Sequence, residues 1–336
     1  MQSQAPVVDI SGLTKRYGSF TALDDLNLSL ERGSILGFIG PNGAGKTTTI
    51  RILVGLSRPT SGTAHIAGAN CVTESDKVRR LVGYMPDRFG SYDNMRVTEY
   101  LDFFGAAFGI PRKLRQVRIG EVLEITNAEW MKDRYVESLS HGMQQRIGIA
   151  RTLLHNPDVL ILDEPANGLD PEARIEMRTI LLRLAGEGKT LIVTSHILPE
   201  LSRICDRVAI IAEGQLRGFG TLNEVTRQLI QSRTTEIEFL NGDRLNEAAA
   251  LIQQVVGSDA KVDVSPTETI VRFRSRAEDG TLAELLKRLI VEDHPVSQYR
   301  ELAGDLEEAF ISVTRGGDSE QPTEATAEAA PAGEQA

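Results

Sequence analysis

The chain has 336 residues, 41% of them apolar, and a net charge of −10 from 47 acidic and 37 basic side chains. That is enough for one large domain or two around a real core, and the acidic balance argues against a broad nucleic-acid footprint. No apolar run approaches the ~18 residues of a membrane helix, MQSQAPVVDI has no basic segment leading into an apolar one, and Cys71 and Cys205 lack CxxC spacing; these features point to a reduced cytosolic protein without a signal peptide, disulfide framework or cysteine metal site.

The first readable elements are short strands at 28–30 and 35–39 around the turn ERGS, the second running straight into GPNGAGKTTTI and a helix. Residues 40–47 fit G-x-x-x-x-G-K-[ST]. In such a loop Gly40, Gly43 and Gly45 let consecutive amides curl around phosphate oxygens, and Asn42 among them is a further candidate for nucleotide binding. Lys46 reaches the β and γ phosphates, and the Thr47 hydroxyl can ligate Mg²⁺.

After residue 86 the texture changes. Val97, Tyr100, Leu101, Phe104 and Phe108 recur at helical spacing, and a mostly helical block is expected to about Ser138. The next segment, LSHGMQQR at 139–146, puts Ser140 at the start of a polar helix, where free amides make an anion site. From Val159 the pattern is strand, helix, strand: VLILD, PEARIEMRTILLRLAGEG, TLIVTS, another helix, then RVAIIAEG. Apolar strands alternating with helices indicate an α/β domain with a largely parallel sheet, closing near Gly220.

Asp163 ends VLILD, where an acid beside a phosphate loop can hold a metal; Glu164 follows, points elsewhere and is placed to act as a base toward water. His196 stands at the end of TLIVTS, where it could hydrogen-bond a γ-phosphate.

Residues 221–233 are read as a linker and 234–315 as a small α+β unit. In it TEIEFL, KVDVSP, TIVRFR and VSQYRE are strands and LNEAAALIQQVVG and LAELLKRLIVE helices. The order βαββαβ suggests a ferredoxin-like sandwich. The tail at 316–336 has five acids, no bases and no large apolar residue, so it is expected to be disordered.

Taken together, GPNGAGKTT, LSHGMQQR, VLILDEP, NGLD and TSH resemble the ATP-binding subunit of ABC transporters, over residues 7 to about 220. The resemblance implies a P-loop ABC ATPase fold with a helical subdomain at 1–220, ATP and Mg²⁺ as ligands, and a cytoplasmic protein held at the inner face of the membrane by a separate permease. It implies that Tyr17 of KRYGSFTAL stacks on adenine and that Lys46, Thr47 and Thr48 bind phosphate and Mg²⁺. It further implies that Asp163 supports the metal, Glu164 is the general base, His196 senses the γ-phosphate and Asp170 of NGLD meets a second subunit. Ser140 and Gly142 then touch the γ-phosphate of ATP on the partner's loop, so that ATP joins two copies head to tail.

Two positions depart from the family pattern: His141 and Met143 replace a Gly and the Gln of LSGGQ, and GYMPD offers Asp87 where a Gln usually faces metal and water. Phe89, Tyr92 and Met95 are candidates for a groove that receives a permease helix. The C-terminal unit, ending in LEEAFISVT at 306–314, is similar to that of export-type subunits. The alternative is a soluble ABC ATPase acting on ribosomes or DNA, but those usually carry two cassettes or a long coiled coil, and this chain has neither. No NKxD motif supports a GTPase.

Overall fold

The computed structural model describes residues 5–87, 90, 94–195, 201–229, 233–257 and 260–302. A central six-stranded sheet has the order β10-β9-β3-β8-β7-β6. Its strands are β3 (Ile35–Ile39), β6 (Val82–Met85), β7 (Val159–Asp163), β8 (Thr190–Thr194), β9 (Arg207–Ala212) and β10 (Gln215–Gly220). All neighbours pair parallel except β10, which folds back on β9 through a hairpin.

The parallel strands are buried on both faces, which is why they read as unbroken apolar runs. Their side chains alternate between two cores. Ile35, Ile39, Leu160 and Leu162 face one of them. Leu36, Phe38, Val159 and Ile161 face the other. Gly37 is required where β3 meets the chain ahead of β9, since a Cβ there would lie 2.9 Å from Cys205 Sγ. Burial pushes the Cys71 thiol up to about 12, and Cys205 is raised for the same reason. Both cysteines are free.

The second core is closed by an antiparallel sheet, β2-β1-β4-β5, that sequence periodicity left mostly unread. It comprises β1 (Val8–Tyr17), β2 (Phe20–Leu30), β4 (Ser61–Ile66) and β5 (Ala69–Asn70). The long strands bulge, with register shifts along the β1–β2 ladder, and this interrupts the strict alternation that betrays a strand. In the chain, helix α1 (Lys46–Leu53) lies between β3 and β4, and α2 (Ser75–Leu81) between β5 and β6.

The first core carries the helical block: α3 (Val97–Ala107), α4 (Arg112–Ile125), two 3₁₀ turns, and α5 (His141–Leu153). Val97, Tyr100 and Leu101 are buried, as their spacing requires, and Phe104 packs against them. Phe108 is an exception. It lies one residue past the helix, 44% exposed, and stacks on His155 at 4.2 Å. Arg115 forks onto Asp102 at 2.7 and 3.2 Å and pins α4 to α3. Helix α6 (Pro171–Gly186) covers β7 and β8 on the same side.

The stretch read as a linker holds a helix, α7 (Leu222–Leu229), whose Val225 is buried in the first core. Beyond it come β11 (Arg233–Phe239), α8 (Leu245–Val256), β12 (Lys261–Ser265), β13 (Ile270–Ser275), α9 (Asp279–Val291) and β14 (Val296–Leu302). The order βαββαβ, with the antiparallel sheet β12-β13-β11-β14, is the ferredoxin-like arrangement expected. It has its own core, built on Ile237, Phe239, Val271, Phe273, Leu285 and Leu289. Among the described residues no helix is long and apolar enough to cross a membrane. The acidic tail and LEEAFISVT lie outside the described residues.

On the other face of this small sheet Glu236 sits directly between Arg272 and Arg300 on the flanking strands. Its carboxylate accepts from their Nε atoms at 2.5 and 2.6 Å while its side chain is 3% exposed. The hydrogen bond from Arg272 holds the carboxyl below the usual glutamate range, against the opposing cost of burial, and Arg300 adds to the effect. A depressed folded pKa means stability that is fully present above the unfolded value of about 4.3 and is lost as pH falls through the folded pKa. Glu236→Gln is therefore expected to cost this sheet about 1 kcal/mol near neutral pH, the half-exposed arginines limiting the loss. Hydrogen exchange of the β11 and β13 amides in the two proteins checks it, and the difference should shrink as pH falls below about 4.

Candidate active site

The site is built where the parallel strands end. From Ile39 the chain turns through residues 40–45 into α1, with Gly43 at φ +83° and Gly45, the residue that opens the helix, at φ +109°. Both angles lie in the left-handed region that costs a side chain ~1–2 kcal/mol. Gly40 is needed for a different reason: a Cβ would stand 2.4 Å from the Ile211 carbonyl oxygen on β9. At Gly45 it would also strike Leu23 Cδ2 and the Ala22 carbonyl. The loop thus lies flat against β2 and β9, with the Ala44 N–H donating to the Pro41 carbonyl at 3.2 Å. No side chain caps α1, so its first amides are offered to a ligand.

Lys46 is the first residue of α1, and its ammonium donates to the carbonyls of Gly40 (2.6 Å) and Pro41 (3.0 Å). Burial pulls its pKa below the ordinary lysine value, and the carboxylates of Glu164 and Asp163 work against that. Those two acids come from the end of β7, two strands across the sheet. Asp163 pairs with Thr194 in the ladder, and its Oδ1 accepts from the Thr194 hydroxyl at 2.6 Å. The Glu164 N–H donates to that same hydroxyl at 2.9 Å. Glu164 then adopts φ +53°, and this left-handed turn takes its side chain out of the line of the strand.

Tyr17 and Phe20 face each other across the Gly18–Ser19 turn of the β1–β2 hairpin, 50% and 61% exposed. Together these parts enclose a cavity of about 360 Å³ lined by both aromatics, the loop, Lys46, Thr47, Thr48, Asp87, Asp163 and Glu164. The residues expected for base, phosphate and metal thus converge, including Asp87 from beyond β6. Phe20 and Thr194 escaped the sequence reading. The signal for Phe20 was its place at the far end of the tight turn from Tyr17; Thr194 gave none beyond its neighbourhood to His196. Thr47, Asp87 and Asp163 offer a hydroxyl and two carboxylates, hard oxygen donors of the kind Mg²⁺ takes.

Ser140, Gly142 and Asp170 do not line this cavity. Ser140 caps α5, accepting the Met143 N–H at 3.4 Å. Asp170 caps α6, accepting the Ala173 N–H at 2.8 Å. The two helix starts are tied together. His141 Nε2 meets the Asn167 carbonyl at 2.9 Å, Arg146 pairs with Glu176, and a Cβ on Gly142 would come within 3.3 Å of the Ala173 Cβ. Burial pulls the Arg146 guanidinium below its ordinary range, with Asp170 and Glu172 opposing. His141, a departure from the usual glycine, thus clamps this segment to NGLD. His196, Phe89 and Tyr92 lie outside the described residues. Met95, the described member of the expected groove, is partly buried and packs against the first core.

The profile of the ABC transporter family matches residues 23–167. The Nod factor export ATP-binding protein I of Ralstonia nicotianae is 34% identical over 310 residues, 92% of this chain and 94% of its own length. The bacitracin transport ATP-binding protein BcrA of Bacillus licheniformis is 37% identical, with 93% and 98% covered. Among solved structures, an ATP-binding subunit of an ABC transporter superposes with a TM-score of 0.60 at 29% identity, covering 66% of this chain and 92% of its own. The dimeric bacterial ABC transporter cassette MJ0796 gives 0.57 at 25%, covering 64% and 98%.

The loop geometry separates two glycines. Gly40→Ala must displace backbone and is expected to cost a few kcal/mol of stability and to abolish ATP binding. Gly43→Ala meets no atom within 4 Å, so only the ~1 kcal/mol strain of its positive φ remains. Thermal unfolding and equilibrium ATP binding of both variants check this; equal effects would contradict it.

Proposed function

The chain belongs to the ATP-binding subunits of ABC transporters, and from that premise we propose how its residues divide the work of an ATPase that powers a separate, export-type membrane permease. The observation that carries the reading is the convergence of Tyr17, the loop, Lys46, Asp87, Asp163 and Glu164 on one cavity.

Tyr17 stacks on the adenine, with Phe20 as a second apolar wall. The amides of Gly43, Gly45 and Lys46 and the Thr48 hydroxyl take phosphate oxygens. Lys46 exchanges the Gly40 and Pro41 carbonyls for β- and γ-phosphate oxygens, a stronger charge-assisted pairing. Thr47 and Asp163, with Asp87, would hold Mg²⁺, which when bound neutralises charge on the transferring phosphoryl group. Glu164 accepts the proton of the attacking water. His196 reads the γ-phosphate in this proposal.

One cavity does not complete the site. Ser140 uses an acceptor lone pair in its cap and keeps its hydroxyl proton to donate. That proton, the amides opening α5 and Gly142 form an anion-seeking surface away from the chain's own loop. The proposed occupant is the γ-phosphate held by Lys46 of a second copy, with Asp170 at the seam. ATP then joins the dimer and its hydrolysis releases it. The permease holds the assembly at the inner face of the membrane. Residues 1–220 act as the cassette in this reading, 221–233 as the connection and 234–315 as an accessory unit, followed by the acidic tail.

Glu164→Gln should keep ATP binding, lose turnover and trap an ATP-bound dimer; turnover at the wild-type rate would sink the assignment. In forced heterodimers carrying Glu164→Gln throughout, Lys46→Ala on one chain and Ser140→Ala on the other should leave one site intact and retain about one nucleotide per dimer. Both changes on one chain should leave about none. Nucleotide retained after gel filtration distinguishes the arrangements, and the reverse result would mean that each chain's serine serves its own ATP.

A further inference from the structure

The end of β8 is tied to the end of β7 by a single buried hydroxyl. Thr194 is fully buried, and its Oγ1 makes both bonds described above: it donates its one proton to Asp163 Oδ1 at 2.6 Å and accepts the Glu164 N–H at 2.9 Å. Asp163 and Thr194 are the last ladder partners of β7 and β8. Past them the β7 chain no longer continues as strand; it enters the left-handed turn at Glu164, φ +53°. A glutamate in that region is held there by its surroundings rather than by its own preference. The Thr194 hydroxyl supplies that hold, because it satisfies the amide the turn would otherwise orphan. Through its donated proton it also restricts which Asp163 oxygen is left for an outside partner.

We infer that Thr194 is a positioning residue that sets the relative aim of Asp163 and Glu164, so that one carboxylate is kept for the cation and the other for the attacking water. The inference rests on the reading of those two acids given above. It separates binding from chemistry: the loop and Lys46 are untouched by Thr194, so ATP still binds when the hydroxyl is lost, and the aim of the acids fails.

Thr194→Val keeps the shape and the β-branched preference for a strand and removes only the hydroxyl. In the full chain with Mg²⁺ and ATP, kcat is expected to fall about tenfold or more while KM stays within about twofold, the split that marks an interaction used in the transition state. In equilibrium binding, ATP affinity measured in EDTA should match wild type, whereas the gain in affinity on adding Mg²⁺ should be smaller. Thr194→Ser restores the hydroxyl and should restore both. Melting temperatures of all three proteins show whether the valine variant folds; if it does not, Thr194→Cys, of similar size but a weak donor, should show the same kcat loss and the same reduced Mg²⁺ gain. A folded valine or cysteine variant with wild-type kcat and Mg²⁺ gain overturns the inference, as does a serine variant no better than valine. Glu164→Gln is run beside them: if it turns over ATP like wild type, the reading of the acids has failed, whereas an inactive Glu164→Gln beside a fully active Thr194→Val removes Thr194 alone.

Discussion

The constraint on which the site depends is how closely the loop after β3 approaches its neighbours. The loop holds its curl, closed inside by the Ala44 N–H donating to the Pro41 carbonyl, only because the chain runs close against β9 at Gly40 and against β2 at Gly45. Each contact leaves no room for a Cβ, and the left-handed angles at Gly43 and Gly45 complete the curl. Once the loop is fixed, α1 starts with its free amides beside it, and Lys46 is placed by the helix rather than by its own flexible stem. The surrounding parts follow from the order of the sheet. With β3 between β9 and β8, and β7 next to β8, Asp163 and Glu164 reach the cavity from a strand end two positions away, and Asp87 from beyond β6, three positions away.

Burial and charge pull in opposite directions inside this hollow. The Lys46 ammonium is partly desolvated, which lowers its pKa, and is sustained by Asp163, Glu164 and two loop carbonyls. Asp163 in turn accepts from a neutral donor, the Thr194 hydroxyl, while Glu164 is fixed through its backbone N–H, which donates to that same hydroxyl. In the proposed reading such a set receives a polyanion and a divalent cation together, since either alone would leave one sign of charge in excess.

The segments expected to face a second copy obey a different logic. Ser140 and Asp170 are ordinary helix caps, and the bonds linking them through His141 and Arg146 stiffen one exposed surface. Rigidity of this kind suits a surface that must meet another protein's nucleotide without first paying to become ordered. The accessory unit stands apart in construction, with its own core and an ionic row across its outer face, Glu236 between two arginines.

The sequence by itself determined the parts whose physics is local. The phosphate loop was legible because its glycines and lysine act through neighbouring backbone. The parallel strands were legible because burial on both faces leaves no polar position to interrupt them. The order βαββαβ was legible because helices of period 3.6 alternate with short strands. Only the tertiary structure decided what depends on residues distant in the chain. The sheet that closes the second core is bulged, and its register is fixed by cross-strand pairing rather than by alternation. Phe108 ends exposed because the helix stops one residue short of it, and α7 forms in a stretch without a long apolar pattern because Val225 finds a core to enter. Phe20 and Thr194 join the site for the same reason. The first is brought to Tyr17 by a hairpin, the second to Asp163 and Glu164 by strand pairing across 31 and 30 residues of chain, which no local pattern records.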